Sequence, residues 1–350
     1  MFNIVSDSNK NSSDKNIMSE KIWCLPFNGD IEFALDFTKK NSNYIFEFYG
    51  DDGFFSSSRH CQNKSCTDLA KLVKELSKMN VRFNYTLNSP NLEGYLIHEN
   101  ALFLHLKELK ELGVQSITTT HPAFLEMLKE LDFSVSASAV QCISSAPQAI
   151  QAERIGFDRI LLVEDLNRNI KSLKEIIEAV SIPTEIIINN LCFMNCPWRI
   201  SHYAIDGIRT PKIDKKTWNH YNEMMLKCRN RWRENPANFL KSTWVRPEDI
   251  KHYRRLGIKY MKLVGRDWPS ERLEKVFNIY FNQSCDGFVF DYLRPGYNIK
   301  EKYGIRNLRN YELDDFFGFF FENGNSCSGL CNKCRHCETY AKELFYADND

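Results

Sequence analysis

Residues 159–190 read RILLVEDLNRNIKSLKEIIEAVSIPTEIIINN, and this stretch contains one complete unit of strand, helix and strand. The runs RILLVE at 159–164 and TEIIINN at 184–190 have the length and the β-branched content of buried strands. Between them, SLKEIIEAV at 172–180 carries apolar residues at helical spacing. Because a helix connects the two strands, we expect them to lie parallel in one sheet.

The same alternation extends from this unit toward both ends of the chain. Further strands are predicted at 22–28, 44–50, 81–88, 116–121, 133–140 and 259–265. In chain order, helical periodicity follows each of the first six of these eight predicted strands. This alternation predicts an α/β fold, a TIM-like (β/α)8 barrel. A doubly wound open sheet is the alternative. No glycine-rich phosphate loop follows the first strand, which weakens that alternative.

This pattern divides the chain into three parts. Residues 1–20 are polar and predict a disordered N-terminal tail. Residues 21–283 form the predicted barrel, with an insertion at 191–242 between the seventh and eighth strands. Residues 284–350 are rich in aromatic and turn-forming residues and end in cysteines. We expect them to be a cysteine-rich C-terminal extension that packs on the barrel.

Composition limits the classes of function. The 350 residues contain 46 Lys and Arg against 45 Asp and Glu, so no global basic field marks a dedicated nucleic-acid binder. No apolar run approaches the roughly 18 residues of a membrane helix, and the first twenty residues lack the apolar core of a signal peptide. A cytoplasmic protein without a membrane span is expected. In that reducing compartment, short-spaced cysteines indicate metal binding in preference to disulfides.

The first cysteine group lies in NNLCFMNCPWRISHY at 189–203, directly after the seventh predicted strand. Cys192 and Cys196 are separated by three residues there, at the end of the barrel where such folds carry their chemistry. Cys228, in a polar helix-like segment, is a candidate further ligand. The alternative is that these thiols are small buried apolar side chains.

The second cysteine group is the run CSGLCNKCRHC at 327–337. Four thiols at this density suit an iron–sulfur cluster, with zinc as the alternative metal. The candidate ligands are Cys327, Cys331, Cys334 and Cys337.

Polar side chains at the strand ends are expected to point toward one face of the barrel. Such a set supplies donors and cations for an anionic or carbonyl-bearing ligand. Its members are Asn28, Asn88, His121, Asn190, Arg199, His202, Lys262 and Arg266. Arg199, His202, Lys262 and Arg266 are the candidate catalytic residues. Turn capping or a structural role is the alternative for each.

Three segments resemble the collagenase-like peptidase (U32) family. They are NLCFMNCPWRISHY at 190–203, STWVRPEDIKHYRRLGIKYMKLVGR at 242–266 and the cysteine-rich end. The family includes the oxygen-independent hydroxylases of ubiquinone biosynthesis and of transfer and ribosomal RNA. The resemblance covers nearly the whole chain after residue 20.

The resemblance implies a barrel that carries a 4Fe-4S cluster on four cysteines. For the hydroxylases it also implies that the oxygen atom comes from prephenate instead of dioxygen. Cys192 and Cys196 correspond to cluster ligands, and Lys262 with Arg266 corresponds to the motif of strand eight. Well-known members have all four cysteines in the middle of the chain. The C-terminal run therefore either completes that cluster or holds a second one, which gives one or two clusters.

The leading interpretation is an iron–sulfur enzyme of the oxygen-independent hydroxylase type that acts on RNA, a quinone precursor or a peptide. The first alternative is a collagenase-like peptidase in which the metal is only structural. The second is a non-catalytic iron–sulfur protein that pairs with a related family member as a heterodimer. No H-E-x-x-H helix and no G-x-S-x-G elbow occurs, so the sequence fixes neither a nucleophile nor a general base.

Overall fold

The computed structural model describes residues 20–55, 69–207, 215–294, 305–321 and 325–346. Within these ranges, eight parallel strands follow chain order and close into a barrel. The predicted TIM-like barrel is therefore confirmed. The predicted tail lies outside the described residues, apart from Glu20.

All eight strands lie within the predicted ranges. β8 closes the sheet by pairing with β1, where Cys24 lies opposite Lys262. The strands are β1 Trp23–Pro26, β2 Ile45–Gly50, β3 Arg82–Leu87, β4 Ser116–Thr119, β5 Ser134–Ala137, β6 Arg159–Leu161, β7 Thr184–Ile187 and β8 Tyr260–Lys262.

Helices surround the strands and bury one apolar face each. In the helix Leu69–Lys78, for example, Leu69, Leu72, Val73 and Leu76 are buried at a spacing of three and four residues. The helices of the barrel are α1 Ile31–Asn41, α2 Leu69–Lys78, α3 Glu93–Leu96, α4 Glu99–Glu111, α5 Leu125–Glu130, α6 Ala146–Arg154 and α7 Ile170–Ala179. Short 3-10 turns cover Pro122–Phe124, Ala139–Gln141 and Glu164–Arg168.

The remaining helices belong to the insertion, the last barrel units and the C-terminal extension. They are α8 Arg199–Asp206, α9 Lys215–Glu234, α10 Ala237–Leu240, α11 Ile250–Leu256, α12 Ser270–Phe281, α13 Asp314–Phe321, α14 Cys331–Cys334 and α15 His336–Tyr346. Further 3-10 turns cover Pro247–Asp249, Val289–Asp291 and Asn310–Leu313. None of the described helices is both long and apolar enough to cross a membrane.

The extension contacts the barrel through buried aromatic rings. Phe316 and Phe317 of α13 are buried, and the ring of Phe317 meets that of Trp244 at 5.0 Å. α15 packs on α10, and Lys241 Nζ lies 2.9 Å from Glu338 Oε1. These contacts bring the cysteine-rich end of the chain onto the insertion that follows β7.

The barrel interior contains a buried charge network. Arg159 Nη2 lies 2.7 and 2.9 Å from the two oxygens of Glu47, and Arg159 Nε lies 3.3 Å from Glu185. Lys262 Nζ lies 3.4 Å from Glu185. Cys24 lies beside the same two carboxylates. Its sulfur and one oxygen each of Glu47 and Glu185 lie within 4.8 Å of one another. Two cations already neutralise the two carboxylates, so we interpret the network as structural.

We expect Arg159→Met to destabilise the barrel, because Glu47 and Glu185 would lose their shared cation while remaining buried. Burial alone would lower the pKa of Arg159, but the two carboxylates raise it, so the arginine is charged. The free energy of unfolding should fall by about 3–5 kcal/mol, the range for breaking a buried charge pair. Urea unfolding followed by circular dichroism measures the change.

Lys39→Met is the matched control. Lys39 pairs with Asp36 on the exposed face of α1, at 2.7 Å. Because an exposed pair contributes little, its unfolding midpoint should equal that of the wild type. Equal midpoints for the Arg159 and Lys39 variants would contradict the structural role of the network.

Candidate functional site

A cavity of about 460 Å³ lies at the carboxyl end of the barrel strands, beneath α8 and α9. Its wall combines thiols, aromatic rings, thioethers and charged groups. The lining residues include Asn190, Cys192, Phe193, Cys196, Trp198, Arg199, His202, Tyr203, Asp206, Tyr221, Met224, Met225, Cys228, Arg229, Trp232, Arg266, Asp267 and Arg294. The insertion therefore converts the open mouth of the barrel into a bounded site.

Cys192 and Cys196 form a hydrogen-bonded pair on the loop between β7 and α8. The thiol of Cys192 donates to the sulfur of Cys196, which lowers the pKa of Cys196 to about 6. The backbone N–H of Trp198 and the charge of Arg199 act in the same direction. The same hydrogen bond and burial raise the pKa of Cys192 well above its usual value. Cys196 is therefore the sulfur of the pair that deprotonates first.

The loop that carries this pair is fixed by Arg199. Its Nη1 and Nη2 lie 2.5 and 2.7 Å from the two carboxylate oxygens of Asp165, and Nη2 also donates to Phe193 O at 3.0 Å. Asp165 accepts a further bond from the N–H of Asn195, whose φ of 52° is left-handed. Arg199 thus joins the turn after β6 to the loop after β7.

Cys228 reaches the same cavity from α9. Phe193 stacks on Trp232 with ring centroids 4.1 Å apart, which holds α9 against the Cys192–Cys196 loop. Burial raises the pKa of Cys228, and the charge of Cys196 acts in the same direction. Three thiols from two separate elements therefore line one wall.

Cys142 is a thiol that the sequence analysis did not include. It follows β5, and its sulfur accepts a hydrogen bond from the guanidinium of Arg199. Burial raises its pKa. It does not line the main cavity but touches the residue that positions the cysteine loop. No spacing motif could have revealed it, because the contact depends on two different strand ends meeting.

The C-terminal cysteines lie on the other side of the Cys192–Cys196 loop. Cys327 Sγ is 3.8 Å from Met194 Sδ, and a Cβ at Gly329 would lie 3.2 Å from Asn195 Nδ2. Together with Cys331, Cys334 and Cys337, Cys327 lines a separate small pocket of about 20 Å³. The structure thus places the predicted ligands in two groups.

Comparison with known proteins identifies the family. The model of peptidase family U32 matches residues 50–320. The chain belongs to peptidase family U32. An uncharacterized protease of Methanocaldococcus jannaschii is 28% identical over 314 residues, covering 87% of this chain and 90% of the relative.

Two solved structures are similar at lower identity. The U32 peptidase Mk0906 is 16% identical, covers 71% of this U32 protein and 94% of its own chain, and gives a TM-score of 0.48. Tryptophan synthase subunit alpha from Legionella pneumophila is 11% identical, covers 79% of this chain and 91% of its own chain, and gives a TM-score of 0.40.

The strand-eight motif of this U32 protein places two cations at different depths. Arg266 Nη1 lies 2.7 Å from Asp51 Oδ2 and lines the main cavity. Lys262 Nζ lies over the ring of Tyr49 at 3.6 Å, deeper in the barrel, where it borders a smaller cavity of about 60 Å³. Gly265 separates them with a φ of 143°, and a Cβ there would come within 2.6 Å of Trp268. The motif therefore needs glycine at this position.

The other predicted strand-end residues divide into two groups. His202 lines the main cavity and lies 3.3 Å from Asp206, and Asn88 borders the smaller cavity. Asn190 lines both cavities and donates to both oxygens of Glu164 at 2.9 Å. Two others do not line either cavity: Asn28 donates to Trp268 O at 3.0 Å, and His121 Nε2 lies 2.8 Å from Ser89 O. The alternative of a structural role fits those two.

Sequence reasoning missed several cavity residues from the insertion and the loops after β8. They carry no motif, and barrel closure together with the packing of the insertion brings them together. They are Tyr221, Met224, Met225, Arg229, Asp267 and Arg294.

In metal-free protein, we expect alkylation of Cys196 by iodoacetamide to accelerate as the pH rises through about 6, because the thiolate is the reactive form. Cys192→Ala removes the hydrogen-bond donor, so the midpoint should move to higher pH. Mass spectrometry of the Cys196 peptide over a pH series measures both midpoints. Cys285→Ala, which removes a buried thiol elsewhere, is the control, and identical midpoints in all proteins would exclude the hydrogen-bonded pair.

Proposed function

We propose that this U32 protein is an iron–sulfur enzyme of the oxygen-independent hydroxylase type, with Cys192, Cys196 and Cys228 as ligands of a 4Fe-4S cluster at the cavity. The convergence of three thiols from two separate elements on one cavity is the observation that carries this proposal.

The donor set fits such a cluster better than a single zinc ion. Thiolates are the ligands that iron–sulfur clusters use. A tetrahedral zinc site brings its sulfurs to about 3.8 Å from one another, since each lies about 2.3 Å from the ion. Among the described residues, these three sulfurs do not form a set within 4.8 Å of one another. That spacing favours a polynuclear centre, whose thiolates bind separate iron atoms.

The side chains that line the cavity around the proposed cluster suit an anionic substrate. A bound cluster supplies one-electron transfer. Four arginines line the cavity, and three of them form ion pairs: Arg199 with Asp165, Arg266 with Asp51 and Arg294 with Asp267. Arg199 lies near the sulfurs and offsets thiolate charge, and Arg266 and Arg294 line the same cavity near the strand ends. A dicarboxylate such as prephenate, as the oxygen donor, would be bound by these arginines.

The acceptor would contact the apolar part of the wall. Trp198, Trp232, Met224 and Met225 line it beside the thiols. Rings and thioethers exclude water and accept a planar group, as a nucleobase or a quinone precursor would present. A peptide with an aromatic side chain fits the same wall.

A peptidase is the second candidate, and one observation favours it. The pKa of Cys196 is lowered to about 6, and the charge of His202 contributes to this shift. His202 in turn lies 3.3 Å from Asp206. A thiolate, a histidine and an orienting carboxylate form the set that cysteine hydrolases use.

The first experiment is anaerobic purification with iron, sulfide and zinc analysis and electron paramagnetic resonance. We expect iron and sulfide in equal amounts and a reducible-cluster signal. Cys192→Ala and Cys228→Ala should lose the iron and sulfide of the cavity cluster, and the buried-thiol control Cys285→Ala should retain them. A wild-type protein without iron would overturn the proposal.

The second experiment separates the two candidate functions. Under anaerobic conditions, isotope-labelled prephenate should transfer label to an RNA or quinone-precursor acceptor, and Arg266→Gln should weaken this transfer. Gelatin and small peptides should remain uncleaved. Hydrolysis by iron-free protein that is lost in His202→Ala would instead support the peptidase. Turnover only after a related family member is added would support the heterodimer.

A further inference from the structure

Arg168 is a buried cation whose guanidinium lacks hydrogen bonds. The residue is 1% exposed, and Nε, Nη1 and Nη2 all lack a hydrogen-bond partner in the structure. Four aromatic rings surround the guanidinium at 5.0–5.6 Å. They belong to Trp244, Phe316, Phe317 and Phe320.

A buried guanidinium needs a compensating negative charge. Arginine stays protonated in proteins, and a charge without a partner in a low-dielectric interior is strongly unfavourable. Asp249 is a nearby carboxylate, but its Oδ2 lies 3.4 Å from Arg246 Nε. The aromatic cage contributes cation–π attraction and no counter-charge. The guanidinium therefore has no hydrogen-bonded counter-anion among the described residues.

The C-terminal cysteines lie next to this cation. The backbone N–H of Cys327 donates to the carbonyl of Arg168 at 2.9 Å. Thiolates at Cys337 and Cys327 would interact with the guanidinium electrostatically. Phe320, one ring of the cage, also lines the pocket that contains all four C-terminal cysteines. The unpartnered cation thus lies next to the pocket of the four thiols, with the ring of Phe320 between them.

The local backbone directs all four C-terminal cysteines toward one pocket. α14 is a single turn that begins at Cys331 and ends at Cys334. Arg335 then adopts a left-handed φ of 55°, and α15 starts at His336, which returns Cys337 toward the same pocket. His336 itself stacks on Phe319 at 3.9 Å. The thiols are therefore the ligand set.

We propose that Cys327, Cys331, Cys334 and Cys337 form a tetrathiolate metal centre, separate from the cavity site, with Arg168 as its buried counter-cation. Like the cavity sulfurs, these sulfurs form no set within 4.8 Å of one another among the described residues, so Zn²⁺ would require them to move closer together than a 4Fe-4S cluster would. With four thiolates, Zn²⁺ or an oxidised 4Fe-4S cluster gives a centre with two negative charges. Arg168 neutralises one of them from the barrel side. Lys241, which borders the same pocket, faces the centre from α10's end. The centre fastens the C-terminal extension to the back of the Cys192–Cys196 loop.

The test uses the full chain, purified anaerobically, and two double variants. Cys331→Ala/Cys334→Ala removes the more accessible thiols, and Cys192→Ala/Cys228→Ala removes the cavity thiols. Each variant should lose one set of metal atoms and keep the other. Zinc without sulfide, or iron with sulfide, in the C-terminal set supports the centre and identifies its metal. Full metal content in the Cys331/Cys334 variant, or loss of both sets together, would overturn it.

Arg168→Met tests the counter-cation directly. The methionine side chain would fill the aromatic cage without a charge. The metal of the C-terminal set should therefore dissociate faster, as measured by transfer to a chromogenic chelator. Partners outside the ligand set typically change metal affinity about 10- to 100-fold. Arg154→Met, on the surface helix α6, is the control and should keep the wild-type rate. Equal rates for both variants would contradict the role of Arg168.

A proteolysis measurement keeps the proposal testable if a variant folds poorly. Lys333 and Arg335 are exposed, so in wild-type protein the metal would protect them only by ordering the backbone; its removal should speed tryptic cleavage there while the barrel stays resistant. Cleavage at the same rate before and after metal removal would overturn the proposal. Failure of the cavity cluster would appear only in the Cys192/Cys228 variant, so the two proposals fail independently.

Discussion

The bidentate ion pair between Arg199 and Asp165 determines where the chemistry of this U32 protein can lie. It joins the turn after β6 to the loop after β7, and the backbone N–H of Asn195 binds the same carboxylate. Because both partners are largely buried, the loop has one well-defined position. Cys192 and Cys196 then face the cavity, while Met194 faces the C-terminal extension.

Buried cations are neutralised in two different ways in this protein. Deep in the interior, Arg159 and Lys262 neutralise Glu47 and Glu185, so the network is complete without any ligand. At the mouth and at the extension, cations lie beside thiols whose charge depends on deprotonation or metal binding. The thiols that we propose as metal ligands therefore lie outside the strands, which supply the rigid frame, as in other barrels of this class.

The short Cys192–Cys196 loop is the structural link between the two thiol groups. Its front face lines the cavity, and its back face contacts Cys327 and approaches Gly329. α9 covers the front through Phe193 and Trp232, and the aromatic residues of α13 cover the back through Trp244. An extension that was predicted only to pack on the barrel thus lies directly behind the candidate active site.

The sequence by itself determined the eight strands, the closed α/β barrel and the cysteine ligands proposed at the end of β7 and in the C-terminal run. Apolar periodicity and spacing are local properties, and each strand was found inside its predicted range. Only the tertiary structure separated the thiols into two groups, brought Cys228 to the cavity and placed Cys142 against Arg199. It also buried Arg168 beside the last four cysteines. These contacts join residues far apart in the chain, and they follow from barrel closure and from the packing of the insertion and extension, which no local pattern encodes.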